Sequence, residues 1–309
     1  MDDKIRQCIK IAKMYYEEEL GQKQIADELN ISRPTVSRQL QFAKDQGFVQ
    51  IIIDDPFERS ENLATKLQEK YGLKEVIIKE VVSDSYDVIQ KAVAERAAEY
   101  LYENINDSDI VGISWGKTMY RTAKAMKQMN LSDVETVQLK GGVSYSNVKT
   151  NAHETLSLFA KSFNSIPRDL PVPVIFDSPE VKKLVSEDRH IKSILDLGTE
   201  CDVAVYTVGS VRENALLFKL GFLNEEEKFK LRENAIGDIC SRFFDAEGKV
   251  ADAQINERTM GVTLETLKSI PKSILVAGGR HKVDAIRGAL IGKIPNVLIT
   301  DSETANKLL

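Results

Sequence analysis

Lys140 closes the apolar run Val137-Gln-Leu-Lys and is followed at once by Gly141 and Gly142. An amine at the end of an apolar strand is poorly solvated, which lowers its pKa, and a neutral lysine can attack an aldehyde to form a Schiff base. A salt bridge or a phosphate contact would use the same residue type, so all three roles stay open. Three further segments follow apolar runs with small or donor residues. They are Ser114-Trp-Gly116-Lys117-Thr118 after Ile110-Val-Gly-Ile, then Val208-Gly209-Ser210, and Ala277-Gly278-Gly279-Arg-His-Lys282. Glycine lets a ligand approach the backbone, and a helix beginning just beyond offers its free N–H groups to an anion. Each segment alone also reads as an ordinary glycine turn, but four of them on one sheet predict a small-anion pocket. Lys117, Thr118 and Lys282 would supply phosphate contacts there. The arrangement is not a P-loop, because GxxxxGK[ST] is absent.

A second group of residues points to nucleic acid. From Gln24 to Leu40 the chain spells a helix-turn-helix. Ile25, Ala26 and Leu29 share one face of the first helix, and Asn30 tolerates the left-handed backbone of a sharp turn. Ser32 reads as an N-cap, and Pro34 sits in the following first turn, where its missing N–H removes no helical bond. Val36, Leu40 and Ala43 recur as the apolar stripe of the second helix, leaving Arg33, Thr35, Ser37, Arg38 and Gln41 as the DNA-binding candidates. Arginine can bond a guanine bidentately, and Thr or Gln can reach bases or phosphates. From Ile31 to Lys44 there are three basic residues and no acidic one. The plainer alternative is a helical hairpin with a solvated outer face.

The elements that must position these residues follow from periodicity. A helix over Ile5 to Glu19, with Ile9, Ala12, Met14 and Tyr16 among its apolar positions, would complete a three-helix reader. Phe48 to Ile53 reads as a short strand that could be part of a small wing, and Asp54 to Ser60 as a hinge. Beyond it strands are predicted over Glu75–Val82, Asp109–Ser114, Glu135–Leu139, Val172–Phe176, Asp202–Val208, Ser273–Ala277 and Val297–Thr300. Helices are predicted over Tyr86–Glu103, Thr118–Met129, His153–Phe163, Asp188–Leu197 and Lys282–Ile291. Such alternation predicts an α/β domain with a mainly parallel sheet. The expected division is a DNA-binding domain over 1–55 and an effector-binding and oligomerisation domain over 56–309.

Composition narrows the partners. The 309 residues carry a formal net charge of −5, so no general basic field holds the chain to nucleic acid, and binding must use a local patch on several cooperating subunits. A homodimer or homotetramer is expected. No apolar run approaches a membrane span and the N-terminus lacks a signal-peptide core, which predicts a cytoplasmic protein without a membrane partner. Cys8, Cys201 and Cys240 lack CxxC spacing, and His153, His190 and His281 stand apart, so neither a metal nor a cofactor is expected.

Five stretches carry a resemblance: Gln24 to Leu40, Asp109-Ile-Val-Gly-Ile-Ser-Trp-Gly, Val137-Gln-Leu-Lys-Gly-Gly, Gly237-Asp-Ile-Cys-Ser-Arg-Phe-Phe-Asp and Ile274-Leu-Val-Ala-Gly-Gly. With them the chain resembles the SorC family of bacterial sugar-responsive transcription regulators, nearest to its deoxyribonucleoside-responsive branch. The resemblance implies a repressor with an effector domain similar to phosphosugar isomerases, released from operator DNA by a phosphorylated sugar. In that branch the implied effector is deoxyribose 5-phosphate, held as a Schiff base by the lysine matching Lys140. Gly116, Lys117, Thr118, Gly278, Gly279 and Lys282 would line the phosphate end, and Asp238 would face the sugar. The competing class is a phosphosugar enzyme with a DNA-binding appendage. It would need a placed acid or base beside the lysine, and neither an HxE pair nor a dense carboxylate cluster stands out.

Overall fold

The computed structural model describes residues 2–51, 56–144 and 146–309, which form two compact units, residues 1–55 and 56–309. In the first, helices α1 (Asp2–Tyr16), α2 (Gln22–Glu28) and α3 (Arg33–Asp45) enclose a small core. Ile25 and Ala26 of α2 meet Val36, Leu40 and Ala43 of α3 over Cys8, Ile11, Ala12 and Met14 of α1. Asn30 makes the turn with φ +50°, and the Ser32 hydroxyl accepts the Thr35 N–H at 3.3 Å, capping α3. On α1 the expected apolar positions Ile9 and Tyr16 face solvent instead, and Cys8 and Ile11 take the buried places.

No wing strand forms over residues 48–51. Gly47 turns the chain at φ +74° and the Val49 N–H bonds the Ala43 carbonyl, so this donor goes to the helix end rather than to a partner strand. Residues 52–55, including Asp54 and Asp55 of the expected hinge, lie outside the described residues. The remainder of that segment, from Pro56, is not a hinge but the first turns of α4 (Pro56–Tyr71), where proline at the first helical position is well tolerated.

The larger unit is an α/β domain. Its strands are β1 (Glu75–Lys79), β2 (Ile110–Ile113), β3 (Glu135–Gln138), β4 (Pro167–Arg168), β5 (Val203–Tyr206), β6 (Val208–Gly209), β7 (Gly237–Ile239), β8 (Arg242–Phe244), β9 (Lys272–Val276) and β10 (Val297–Asp301). Seven form one sheet in the order β1-β10-β9-β5-β2-β3-β4, every pair parallel, and β6-β7-β8 form a small antiparallel sheet. Helices α5 (Tyr86–Asn104), α6 (Lys117–Ala125), α7 (Ala152–Ser162), α8 (Pro179–Ser186) and α9 (Arg189–Thr199) lie along its connections. The strands alternate between two cores. Val203, Val205, Ile274 and Val276 enter one; Ala204, Tyr206, Leu275 and Ala277 enter the other. A sheet buried on both faces explains why its strands read as nearly unbroken apolar runs.

Two strand expectations change. Val172–Phe176 makes only isolated bridges, Val143 with Pro173 and Ile175 with Thr259, because Pro171 and Pro173 have no N–H to give a ladder. The edge strand there is β4 instead. Asp202–Val208 divides after Tyr206, and Gly209, expected in a loop, pairs with Asp238 across the small sheet.

From β2 the chain moves through β3 to β4, whereas from β5 it moves the other way to β9 and β10. The reversal lies between β2 and β5, the place where parallel sheets gather ligands beyond their strand C-termini. The four glycine-bearing segments follow β9, β5, β2 and β3, four neighbours across that point. The segment 259–262 closes over the end of β3, bridging Gly261 to Lys140. Gly261 stands at φ +131°, and a Cβ there would lie 2.4 Å from the Leu139 carbonyl oxygen. Gly261→Ala is therefore expected to lower stability by about 2 kcal/mol or more, measured as a fall in the thermal midpoint of the full chain.

Candidate functional site

On the first unit, the exposed side of α3 carries Arg33, Ser37, Arg38 and Gln41. Arg38 Nε donates to the Pro34 carbonyl at 3.3 Å, and Gln41 Nε2 donates to Asp45 Oδ1 at 2.8 Å. Thr35 is half-buried, its hydroxyl 2.8 Å from that of Ser32, so of the five expected residues it is the one most engaged in the helix cap. Phe42 of α3 and Phe48 just beyond it are exposed as well.

In the larger unit Lys140 follows β3 and is only 5% exposed. Its Nζ lies 3.7 Å from the centre of the Trp115 ring and 3.3 Å from Ser241 Oγ. The indole is itself fixed, donating through Nε1 to the Gly141 carbonyl at 2.8 Å. Burial holds the Lys140 amine below the ordinary lysine pKa, while Asp238 and Cys240 pull it the other way. Asp238 mirrors it. Burial raises its carboxyl above the usual range, opposed by Lys140, the Ser241 N–H and Lys282. Desolvation thus drives both members of the pair toward their neutral forms.

A tight hairpin brings these groups together. Between β7 and β8 only Cys240 and Ser241 intervene, at φ +49° and +66°. Two successive left-handed residues are the signature of a type I′ turn, which matches the twist of paired strands but usually employs Asn and Gly. Here the Ser241 N–H donates to Asp238 Oδ2 at 3.2 Å, and its hydroxyl meets the lysine. Opposite Asp238 stands Gly209. A Cβ there would be 1.9 Å from Asp238 Oδ1, so the carboxylate occupies the space a side chain would take.

The next residue, Arg242, is 4% exposed and spends its donors on carbonyls. Nε bonds Val262 O at 2.7 Å, Nη1 bonds Asn256 O at 2.8 Å and Asn256 Oδ1 at 2.7 Å, and Nη2 bonds Thr259 O at 3.1 Å and Gly261 O at 2.8 Å. Burial lowers its pKa to about 10, leaving it cationic at neutral pH. Arg242 thereby clamps the segment that covers Lys140.

Of the residues expected at a phosphate end, some gather near the start of α6 and others do not. Gly116 precedes that helix at φ +138° and faces Thr207, whose hydroxyl lies 3.4 Å from Lys282 Nζ. Lys282 is buried at the end of a single 3-10 turn, Arg280–Lys282, and the α-helix starts one residue later than expected, at Val283. Thr118 is buried and accepts from Gln90 Nε2 at 3.0 Å; Gln90 also donates to the Tyr86 hydroxyl, and the Tyr86 ring meets His281 edge-on at 4.2 Å. Burial, Lys282 and Arg212 depress the His281 pKa. The Gly279 N–H is taken by Asp301 Oδ2 at 2.9 Å and Thr304 Oγ1 at 2.8 Å, so it is not free for a ligand. Gly278 leans on the same Asp301 carboxylate. Gly141 and Gly142 pack tightly on the backbone of Pro173 and on Ala152. Lys117 is exposed, and Ser210 lies half-buried after β6.

Sequence reasoning passed over Trp115, Ser241, Arg242, Thr207 and Gln90. Trp115, Ser241 and Arg242 stand inside quoted motifs. Gln90 had a signal of its own, a polar residue on the α5 face that buries Ile89, Val93 and Ala97. Thr207 had none.

Residues 55–309 match the family described as a sugar-binding domain, and residues 13–50 match bacterial regulatory proteins of the arsR family. The chain is 50% identical over 307 residues to the deoxyribonucleoside regulator of Bacillus subtilis, an alignment covering 99% of this chain and 98% of that protein. It is 33% identical over 316 residues to the sorbitol operon regulator of Klebsiella pneumoniae, covering 99% and 98%. The crystal structure of the full-length sorbitol operon regulator SorC from Klebsiella pneumoniae matches with a TM-score of 0.76 at 30% identity, covering 100% of this chain and 99% of that one. Among the described residues no helix is long and apolar enough to cross a membrane.

Removing the Arg242 clamp would orphan several buried carbonyls at once. Arg242→Ala is expected to lower stability by about 3 kcal/mol, read from denaturant unfolding followed by the fluorescence of Trp115, the single tryptophan of the chain.

Proposed function

The chain belongs to the SorC-type family of sugar-binding transcriptional regulators, and from that premise we propose that it is a repressor released from its operator by deoxyribose 5-phosphate. The observation that carries the choice of effector is Lys140, an amine shielded from water and biased toward its neutral, nucleophilic form beside Asp238. An open-chain aldose phosphate brings the two things such a site would select, an aldehyde for the amine and a dianion for the N-terminus of α6 with Lys282 and Thr207. The half-identical relative in Bacillus subtilis bears the name of a deoxyribonucleoside regulator, which supports a deoxyribose ester over other sugars and control of genes for deoxyribonucleoside catabolism.

In this reading Arg38 and Arg33 of α3, with Ser37 and Gln41, contact operator DNA, Thr35 supporting the helix start. Phosphate contacts would position α3 and base contacts would specify the site. With a net charge of −5 one reader holds weakly, so two or four subunits act together in the cytoplasm. Exposed Val181 and Leu184 on α8, a helix with no buried residue, favour such association. Moving a population from almost all bound to almost all free needs about 5.5 kcal/mol of differential effector affinity. A covalent imine together with a caged phosphate is a source of that size.

Arg38→Ala is expected to abolish operator binding in a gel-shift titration and to leave effector binding intact, whereas Lys140→Met retains operator binding and no longer releases on addition of the sugar. Borohydride reduction of the protein with deoxyribose 5-phosphate should add the sugar mass to the peptide containing Lys140; a Lys140→Met protein that still releases DNA normally would sink the imine. The yield should fall with falling pH. Burial lowers the Lys140 pKa but acid still protonates the amine, and an ammonium cannot attack a carbonyl.

A further inference from the structure

We propose that Asp238 is the general acid that expels water as the Lys140 imine forms, with the Ser241 hydroxyl passing the proton between nitrogen and oxygen in the preceding step. The proposal rests on the Schiff-base reading of Lys140 and assigns the proton transfers that reading requires.

Imine formation has two parts. The neutral amine adds to the aldehyde carbon, forming the C–N bond while the carbonyl π pair moves to oxygen, and a proton shifts from N to O to give a carbinolamine. The carbinolamine hydroxyl then takes a proton, the C–O bond breaks, and water leaves as the nitrogen lone pair forms the C=N bond. Starting from Lys-NH2 and Asp-COOH, the products are one water, a protonated imine and Asp-COO⁻, so protons and charge balance without another reactant. The second part is slow near neutral pH unless an acid stands beside the leaving oxygen.

The geometry points to Asp238 as that acid. Its carboxyl is 6% exposed and takes one hydrogen bond among the described residues, from the Ser241 N–H to Oδ2. Oδ1 lies over the bare Cα of Gly209 and has no hydrogen-bond donor among the described residues. Ser241 Oγ is 3.3 Å from Lys140 Nζ, within reach of both the nitrogen and an oxygen one bond further on. Other candidates fit less well. Burial pushes the Cys240 thiol up to about 12, which makes it a poor acid, and His281 is engaged with the Tyr86 ring. The charged groups around Asp238 are Lys140 and Lys282, and the iminium would replace the lysine as its counter-ion.

As proton donor Asp238 sets how fast the imine forms and hydrolyses, and as the carboxylate left beside the iminium it also favours the imine at equilibrium. In a regulator that rate sets the response time, and by microscopic reversibility the same group governs recovery when the sugar is exhausted. The test is timed borohydride quenching of the full-length protein mixed with deoxyribose 5-phosphate, with mass measurement of the Lys140 peptide. Asp238→Asn should slow adduct formation by ~100-fold when the rate is compared at saturating sugar, so that any change in affinity drops out. Ser241→Ala should show a smaller slowing under the same saturation, and carries the test if the Asn variant lacks the wild-type thermal transition. Adduct formation at the wild-type saturating rate in both variants overturns the proposal. Absence of any adduct in the wild-type protein overturns the imine itself, a distinct result.

Discussion

A lysine amine and a carboxyl withdrawn together from water are the constraint around which the larger unit is organised. Burying either as an unpaired ion costs on the order of several kcal/mol. Lys140 and Asp238 meet that problem jointly, each shifted toward its neutral form by burial and each opposing the other's shift through its charge. The surrounding features follow from it. Trp115 offers a ring face to the amine, Gly209 leaves room for the carboxyl, and Ser241 gives both a hydrogen-bonding neighbour. Arg242, which has no carboxylate partner among the described residues, is satisfied by oxygen atoms of 256–262.

The architecture was legible because its signals are local. Apolar runs such as Val203–Tyr206 and Ile274–Val276 are what a doubly covered parallel sheet demands, and the strand-end glycines fall on four neighbouring strands. The helix-turn-helix was equally plain from Asn30, Ser32 and the Val36–Leu40 stripe. Errors came where one residue's covalent limits outweighed its neighbours' hydrophobicity. Val172–Phe176 looks like a strand until Pro173, with Pro171 just before it, is asked for an N–H group, and Phe48–Ile51 looks like one until Gly47 returns the chain to its own helix.

The site was half legible. Lys140, Lys282 and Gly116 could be named from residue type and position, and Asp238 only through the family resemblance. Their partners could not, because Lys140 and Ser241 are 101 residues apart and Thr207 and Lys282 are 75 apart. Glycines mislead in a characteristic way. Gly278 and Gly279 read as ligand loops, yet much of their need for small size is set by Asp301 and Tyr86 of the protein itself. A glycine signals close approach without saying what approaches.

The turn at Cys240-Ser241 sets an unusual relation between durability and use. Its two left-handed residues would be more comfortable as Asn-Gly, and a search for stabilising replacements would arrive there first. That same exchange deletes the hydroxyl beside the lysine, so the sturdier hairpin is a blunter instrument. The strain carried by this hairpin is thus tied to the chemistry it presents, and selection for thermal robustness alone would erode the sensor before it harmed the fold.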